Sequence, residues 1–292
     1  MKKNAILTRD EKRAIPFILP SVIISALLIV YPLYYIFRMS FNSSPLDGFS
    51  FAWFDNYAAL FRNPQFGRVM MNTLVWTVST VVFTFLIGSA LALLIHREQV
   101  RFKGLWRSLI FIAWIIPGVV KATSWKWLFT NDGGMVNHIL MSLGVIDTPI
   151  PWLISNQYAM LALIVVQVWA CAPYVMLMMT AGLQQLPQDV YESADLDGAS
   201  GIRKTIHITL PMLKDVSFIC ILLVLIWAIN EFSLIWILTN GGPGGSTTTL
   251  SLMVYNQFKV LNMNAASASA VMQLLISMVF AVLYVASQAK ED

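Results

Sequence analysis

Several polar and aromatic side chains lie inside long apolar stretches of this sequence, at spacings that could form a binding surface. Gln167, Cys171 and Tyr174 are three and four residues apart, which places them on one face of a predicted helix. Trp227 and Glu231 share a face in a later stretch in the same way. Aromatic faces beside hydrogen-bonding groups can bind a polar solute. Ordinary helix packing remains the alternative for the two aromatic side chains.

Two further polar residues, Lys121 and Asn230, also lie within apolar stretches. A lysine in the middle of a membrane span costs roughly 2.5–3.5 kcal/mol on insertion scales, which favours a cavity-facing Lys121. Lys126 lies about 7.5 Å nearer the predicted outer surface, so it can extend to the interface between Trp125 and Trp127. Lys121 could instead extend outward or pair with Glu231. Gln167 and Asn230 could instead form hydrogen bonds between helices.

The elements that position these residues are membrane spans. Of the 292 residues, 58% are apolar and only 12% are charged, whereas soluble domains are about half apolar and about a quarter charged. A span needs about 20 apolar residues, and six stretches qualify, at 14–39, 69–95, 108–128, 157–183, 213–239 and 263–287. They are too long for barrel strands, so the sequence predicts an all-α polytopic membrane protein with six transmembrane helices.

The basic residues predict the orientation. Most of the 19 lysines and arginines fall in the two tails and in the loops 96–107 and 184–214. Both termini are therefore predicted to be cytoplasmic. The predicted domains are a tail over 1–13, a six-helix transmembrane domain over 14–287 and a tail over 288–292. The segments 40–68, 129–156 and 240–262 are predicted as outer connections.

Other function classes find little support in the composition. A formal net charge of +4 in short clusters gives no indication of nucleic-acid binding. Cys171 and Cys220 form no CxxC or Cys/His spacing, so neither a metal site nor a disulfide is predicted. The stretch 14–39 is too long for a signal peptide and is expected to stay uncleaved. The glycine-rich segment at 241–245 lacks the Lys-Ser/Thr of a P-loop, so it is predicted to be a turn.

The loop over 186–211 has a helix–turn–helix pattern. Pro187 suits the first turn of a helix, the acids within Asp189–Asp197 favour its N-terminal half, and Gly198 can end it. A second short helix over Ile202–Ile208 is predicted to stop near Pro211. We expect the following side chains to be exposed or half-exposed: Tyr191, Ala194 and Leu196. On the residues alone, an ordinary amphipathic helix at the membrane surface fits equally well.

The spacing within this loop resembles the EAA motif of binding-protein-dependent importer permeases. Glu192-Ser193-Ala194 is followed by Gly198 and then by Ile208-x-Leu210-Pro211; Ser193 stands where the family usually has alanine. The resemblance implies that the loop docks into an ATPase subunit. The residues implied in this coupling are Glu192, Ser193, Ala194, Asp197 and Gly198. ATP and Mg²⁺ would then bind the partner, and this chain would have no cofactor and no catalytic residue of its own.

Two further stretches are similar to carbohydrate permeases of the MalF type. They are Leu238–Pro243 with Thr247–Leu250 and Val254-Tyr255, and Asp55-Asn56-Tyr57 with Phe66 and Asn72-Thr73. The resemblance implies the fold of a type I ABC importer permease in a bacterial cytoplasmic (inner) membrane. It also implies four kinds of protein and ligand partner besides lipid: a homologous second permease, two ATPase subunits, an external solute-binding protein and a carbohydrate.

The same resemblance implies which residues line the solute cavity. They are Gln167, Cys171, Tyr174, Trp227, Asn230 and Glu231, and Lys121 aligns where a small polar residue faces the substrate. A cation there suggests an acidic substrate such as a uronate oligosaccharide. The alternatives are a neutral oligosaccharide or a glycerophosphodiester in the same architecture. A membrane scaffold or an ion-coupled carrier is a further alternative; such a carrier would have broken helices and an ion site, for which only Lys121 and Glu231 are candidates.

Overall fold

The computed structural model of the protein describes residues 9–43, 49–97 and 99–288. Over these ranges the chain is helical, and the only β pairing is an isolated bridge between Asn42 and Phe51. The longer helices are α1 (Arg9–Ser40), α3 (Phe66–His96), α4 (Lys103–Ile115), α5 (Gly118–Leu128), α7 (Ala159–Leu183), α11 (Lys214–Asn230) and α14 (Met263–Gln288). The shorter ones are α2 (Asp55–Arg62), α6 (Met135–Ser142), α8 (Gln188–Leu196), α9 (Gly201–Lys204), α10 (Leu210–Met212), α12 (Ser233–Thr239) and α13 (Leu250–Lys259). A π-helical turn, Thr205–Thr209, joins α9 to α10.

Four helices are long and apolar enough to cross a membrane by themselves: α1, α3, α7 and α14. Two bent helix pairs, α4 with α5 and Gly201–Met212 with α11, raise the number of candidate spans in the described ranges to as many as six if each pair is one span. The prediction of an all-helical protein with six spans is therefore confirmed as a fold class. The predicted tails lie mostly outside the described residues, which exclude 1–8 and 289–292, and residues 9–13 belong to α1.

The third predicted span, 108–128, is not one helix. It is divided between α4 and α5, which meet at an angle of 94°. Pro117 has no N–H to donate, and its ring disfavours the helical conformation for Ile116, which is extended with ψ 129°. The second half of this span, including Lys121, therefore belongs to a separate short helix.

The fifth predicted span, 213–239, is also broken. The helix α11 ends at Asn230, Glu231 is extended with ψ 122°, and α12 starts at Ser233. The break takes backbone carbonyls away from their regular helical partners, although Ala228 O still accepts from the N–H of Glu231 at 3.2 Å, and in lipid such carbonyls need other donors. Three side chains supply them: Trp76 Nε1 to Ala228 O at 2.8 Å, Ser251 Oγ to Glu231 O at 2.6 Å, and Gln273 Nε2 to Ile229 O at 3.3 Å.

The helices α3 and α7 form the main packed pair of the unit made of residues 64–253 and 273–292. Their approach is close at Gly88, where a Cβ atom would lie 2.5 Å from the Cβ of Val175. Small residues at such positions let helices pack tightly in a membrane. The core beside this contact consists of Ala92, Ile95, Val175, Met176, Met179, Leu183, Leu213, Cys220 and Val224.

The predicted outer connections contain three short helices, α2, α6 and α13, that the sequence pattern did not predict. The helix α2 lies in the second unit, which comprises the described residues of Met1–Asn63 and Val254–Met272. Asn56 ties it to the end of α1 by donating to Ser40 O and Asn42 O, both at 2.9 Å. These connections are therefore ordered by polar contacts that apolar patterning does not reveal.

Candidate functional site

The predicted coupling loop forms a short helix, α8, with a defined start and end. Pro187 precedes it in an extended conformation, with ψ 132°. At the other end Gly198 has φ +73°, its N–H donates to Asp195 O at 3.0 Å, and the N–H of Ala199 donates to Ala194 O at 2.9 Å. This pair of hydrogen bonds is a Schellman motif, which a left-handed glycine closes at little steric cost. As predicted, Pro187 marks the start of the helix and Gly198 marks its end.

The second short helix of the loop runs from Gly201 to Met212 and includes the π-helical turn. It therefore begins before Ile202 and ends one residue after Pro211. The wider π turn accommodates a proline within the helix, because a π turn shifts the hydrogen-bond partners of the backbone. Tyr191 OH and Thr209 Oγ1 lie 2.9 Å apart, and Lys204 pairs with Asp195, so both contacts join the second helix to α8.

Glu192 and Ser193 of α8 are exposed, as are Asp197 at its C-cap and Gly198, and Glu192 also lines the space between α8 and the ends of α3 and α7. Among the described residues nothing donates a hydrogen bond to the Glu192 carboxylate or pairs with it. Leu196 is 90% exposed. A protruding helix with an unpaired carboxylate and an exposed leucine has the form of a protein-docking element.

The predicted exposure of Ala194 is wrong. Its side chain is buried, with 9% relative exposure, whereas Tyr191 is half-buried as expected. Ala194 is thus the one residue of α8 whose side chain is buried.

A cleft of about 1240 Å³ lies behind α8, between it and the C-terminal ends of α3 and α7. Its polar lining includes both charge signs, from His96, Arg97, Glu192, Asp195 and Lys204. An open space thus lies between α8 and the ends of these two spans.

Three aromatic rings from three helices meet at the predicted solute site. Tyr174 lies 4.8 Å from Trp227 and 5.2 Å from Trp114, and the two tryptophans are 4.9 Å apart, all between ring centroids. The proximity of Tyr174 and Trp227 agrees with the prediction. Trp114 was missed, although it lies just before Pro117, where an interrupted helix exposes its last turn.

Two polar residues of the predicted solute site are in contact. Gln167 Nε2 lies 3.4 Å from Cys171 Sγ, with both side chains buried. Lys121 is half-buried, and across the described part of the chain it forms no ion pair with Glu231.

Two of the predicted solute residues contribute to the break in α11. Glu231 Oε1 accepts a hydrogen bond from the N–H of Leu234 at 2.9 Å, which caps the start of α12. Asn230 Oδ1 accepts from Gln273 Nε2 at 2.9 Å, which is the interhelical hydrogen bond considered from the sequence. For Gln167 the partner, Cys171, lies on the same helix instead.

The glycine-rich segment after α12 is a turn held by the N-terminal part of α3. Asn72 donates to the carbonyls of Gly245 and Thr248 at 2.9 and 3.1 Å, and Arg68 donates to Gly244 O at 2.8 Å. The Thr73 hydroxyl accepts from the N–H of Leu250 at 2.9 Å. The two sequence stretches that resemble the MalF type are therefore in direct contact.

Within the described ranges no group of three or more His, Cys, Asp and Glu side chains is arranged to hold a metal ion. Cys171 and Cys220 are both free and buried. The candidate chemistry of this chain is accordingly recognition by stacking, hydrogen bonds and one cation.

These features define a class: a helical membrane transport component with broken spans and an exposed short helix between two of them. Residues 84–290 match the family described as binding-protein-dependent transport system inner membrane component, and the chain belongs to this family. The predicted resemblance to ABC importer permeases is confirmed by this match. The protein is thus a transport subunit.

Curated relatives share nearly the full length of the chain. It is 30% identical over 278 residues to the trehalose/maltose transport system permease protein MalF of Thermococcus litoralis, covering 94% of this chain and 93% of the relative. It is 34% identical over 281 residues to the sulfoquinovosyl glycerol transport system permease protein SmoG of Agrobacterium fabrum, covering 94% and 90%. These similarities agree with the MalF-type resemblance.

Solved structures confirm the fold. A chain of a bacterial ABC transporter involved in the import of the acidic polysaccharide alginate superimposes with a TM-score of 0.83, at 21% identity, covering 97% of this chain and 98% of that chain. A second structure, of an alginate ABC transporter in complex with its alginate pentasaccharide-bound periplasmic protein, gives a TM-score of 0.79 at 22% identity, covering 96% of both chains. The predicted permease fold is therefore observed.

Proposed function

We propose that this chain is the permease subunit of an ATP-binding-cassette importer that moves a carbohydrate across the cytoplasmic membrane. The observation that supports it best is α8, which presents the unpaired carboxylate of Glu192 on an exposed helix at the spacing of the EAA motif. The relatives named for trehalose/maltose and sulfoquinovosyl glycerol transport support a carbohydrate as the solute.

The proposed assembly has a second permease, two ATPase subunits and an external solute-binding protein. The exposed residues of α8 dock into the ATPase, which binds the ATP and Mg²⁺. Glu192 can pair there with a cationic side chain, and Gly198 allows the sharp turn that lets α8 protrude. Both termini and the coupling loop lie on the cytoplasmic side, as the distribution of basic residues indicates.

The proposed solute site is the cluster of Lys121, Gln167, Tyr174 and Trp227, completed by Trp114. Its aromatic faces suit a sugar ring, and Lys121 suits a carboxylate on that ring, which favours an acidic oligosaccharide. A neutral oligosaccharide is the second candidate, because the three aromatic contacts do not depend on charge. Cys171, Asn230 and Glu231 shape this site through their contacts with Gln167, Gln273 and Leu234.

An ion-coupled carrier is not supported. Such carriers use the carbonyls freed at broken helices to bind ions. Here side-chain donors occupy the freed carbonyls of Ala228, Ile229 and Glu231.

The decisive experiment reconstitutes the chain with its partner subunits and the solute-binding protein encoded beside it. We expect ATP-dependent uptake of a carbohydrate into proteoliposomes, and loss of both ATPase docking and uptake in Glu192→Ala. Unchanged docking and uptake in that variant would overturn the proposal.

A further inference from the structure

A second cleft, of about 450 Å³, lies where the C-terminal end of α5 meets α12 and the segment after α6. Its volume falls in the range of small-molecule sites, about 300–1,000 Å³. The side chains that matter for binding are those of Lys126, Asn131, Trp152, Trp236 and Asn240. None of them belongs to the solute cluster around Tyr174.

The two tryptophans of this cleft are held in place. The indole Nε1 of Trp152 donates to Asn137 Oδ1 at 2.8 Å. Asn137 is only 3% exposed, and its amide also donates to Ile150 O at 3.0 Å and Asn131 O at 3.3 Å. Trp236 is stacked on Phe232 with centroids 5.9 Å apart. A ring held this way loses little entropy when a ligand stacks on it.

Lys126 gives the cleft a cation with unused hydrogen-bond donors. Its ammonium donates to Ile237 O at 2.9 Å, and over the described residues it has no second partner. An ammonium group has three donors, so two remain for a ligand. The Asn131 and Asn240 side chains are exposed beside it and add amide groups.

An aromatic row runs from this cleft to α7. Trp152 lies 5.7 Å from Phe129, Phe129 lies 5.3 Å from Trp125, and Trp125 lies 5.4 Å from Trp169 on α7. Lys126 is five residues beyond Lys121 on α5, which is about 7.5 Å along the helix.

We infer that the cleft is an outer subsite that binds one pyranose ring of the transported carbohydrate before it reaches the solute cluster. The Trp152 indole stacks on the ring, and Lys126 donates to its carboxylate or hydroxyl oxygens. The subsite rests on the proposed carbohydrate import, and it adds a place of recognition separate from Tyr174 and Trp227.

Cysteine protection tests the subsite directly. Ile154 lines the cleft and is 72% exposed, so Ile154→Cys should react with a membrane-impermeant methanethiosulfonate, whereas the native cysteines are buried. Val145→Cys, at a position 65% exposed and outside the cleft, is the matched control. The probes are trigalacturonate and maltotriose, applied to the reconstituted assembly, with labelling of this chain followed by mass spectrometry.

We expect the trisaccharide that the wild-type assembly imports to slow labelling of Ile154→Cys several-fold and to leave Val145→Cys unchanged. Adding Trp152→Ala should raise the half-protecting concentration roughly tenfold, equivalent to about 1.4 kcal/mol. Adding Lys126→Gln should raise the half-protecting concentration of trigalacturonate more than that of maltotriose. Import of either trisaccharide without protection would overturn the subsite alone, whereas an assembly that imports no carbohydrate at all would overturn the proposed function together with it.

Discussion

The indole N–H of Trp76 donates to the backbone carbonyl of Ala228, 2.8 Å away and 152 positions later in the chain. Trp76 is fully buried on α3, and Ala228 lies in the last turn of α11. The regular helical partner of this carbonyl would be the N–H of Phe232, which lies beyond the break. This hydrogen bond gives the buried indole N–H of Trp76 an acceptor, and it also stabilises the end of α11 at the break.

Trp76→Phe should destabilise the protein by about 1–2 kcal/mol, because it removes a buried hydrogen bond and leaves a gap beside Ala228. The expected observation is a lower midpoint of thermal unfolding for the purified assembly. Trp127→Phe is the control, since Trp127 is 76% exposed. Equal midpoints for Trp76→Phe and the wild type would show that the break does not depend on this bond.

Glu192→Gln tests the docking carboxylate with its shape preserved. We expect the variant to fold normally and to lose most ATPase association and uptake, because the exposed carboxylate has no partner within the described chain and its charge is available to the ATPase. Asp189→Asn, an exposed acid on the same helix, is the matched control. Association is measured by copurification, and equal losses in the two variants would argue against a specific role for Glu192.

Gly198→Ala places a Cβ at φ +73°, which costs roughly 1 kcal/mol or more in the left-handed region. We expect the turn after α8 to be destabilised, and uptake to fall with little change in the solute affinity. Gly201→Ala is the control, because Gly201 starts a helix and an added Cβ there also meets open space. Hydrogen exchange over residues 188–200 gives the local readout, and unchanged protection would contradict the expected strain.

Lys121→Met removes the cation of the solute cluster and keeps a long side chain. Uptake of trigalacturonate should fall by tenfold or more, roughly the 1.4 kcal/mol of one charged contact, and uptake of maltotriose should change little. Lys121→Arg should retain preference for the acidic probe. Equal losses for both sugars would assign Lys121 a structural role.

The uninterrupted spans were predictable, and the broken ones were not. The helices α1, α3, α7 and α14 follow single apolar stretches, which lipid forces into helices. Pro117 was visible in the third stretch, but a proline in a membrane helix can also be accommodated as a kink, so its presence did not predict a bend of 94° between two separate helices. The break after Asn230 has no proline signal at all. Its partners, such as Trp76 and Gln273, are distant in sequence.

In the candidate site, too, some features were predictable from the sequence and others were not. The docking loop was predictable because local rules decide it: a proline before the helix, a left-handed glycine after it, and acids within it. The burial of Ala194 was missed because it depends on the contact between two short helices. Trp114 was missed because its partners, Tyr174 and Trp227, lie on other helices, and sequence spacing detects only neighbours on the same helix.

The helix α3 is unbroken over Phe66–His96, about 46 Å at 1.5 Å per residue. Its first turns hold the glycine-rich segment, its middle holds the carbonyl of Ala228, and its last turns line the cleft behind α8. The single helix α3 thus contacts the glycine-rich segment and the end of α11, and it lines the cleft behind α8. A tilt of α3 would therefore displace the glycine-rich segment, the carbonyl of Ala228 and one wall of the cleft behind α8 together.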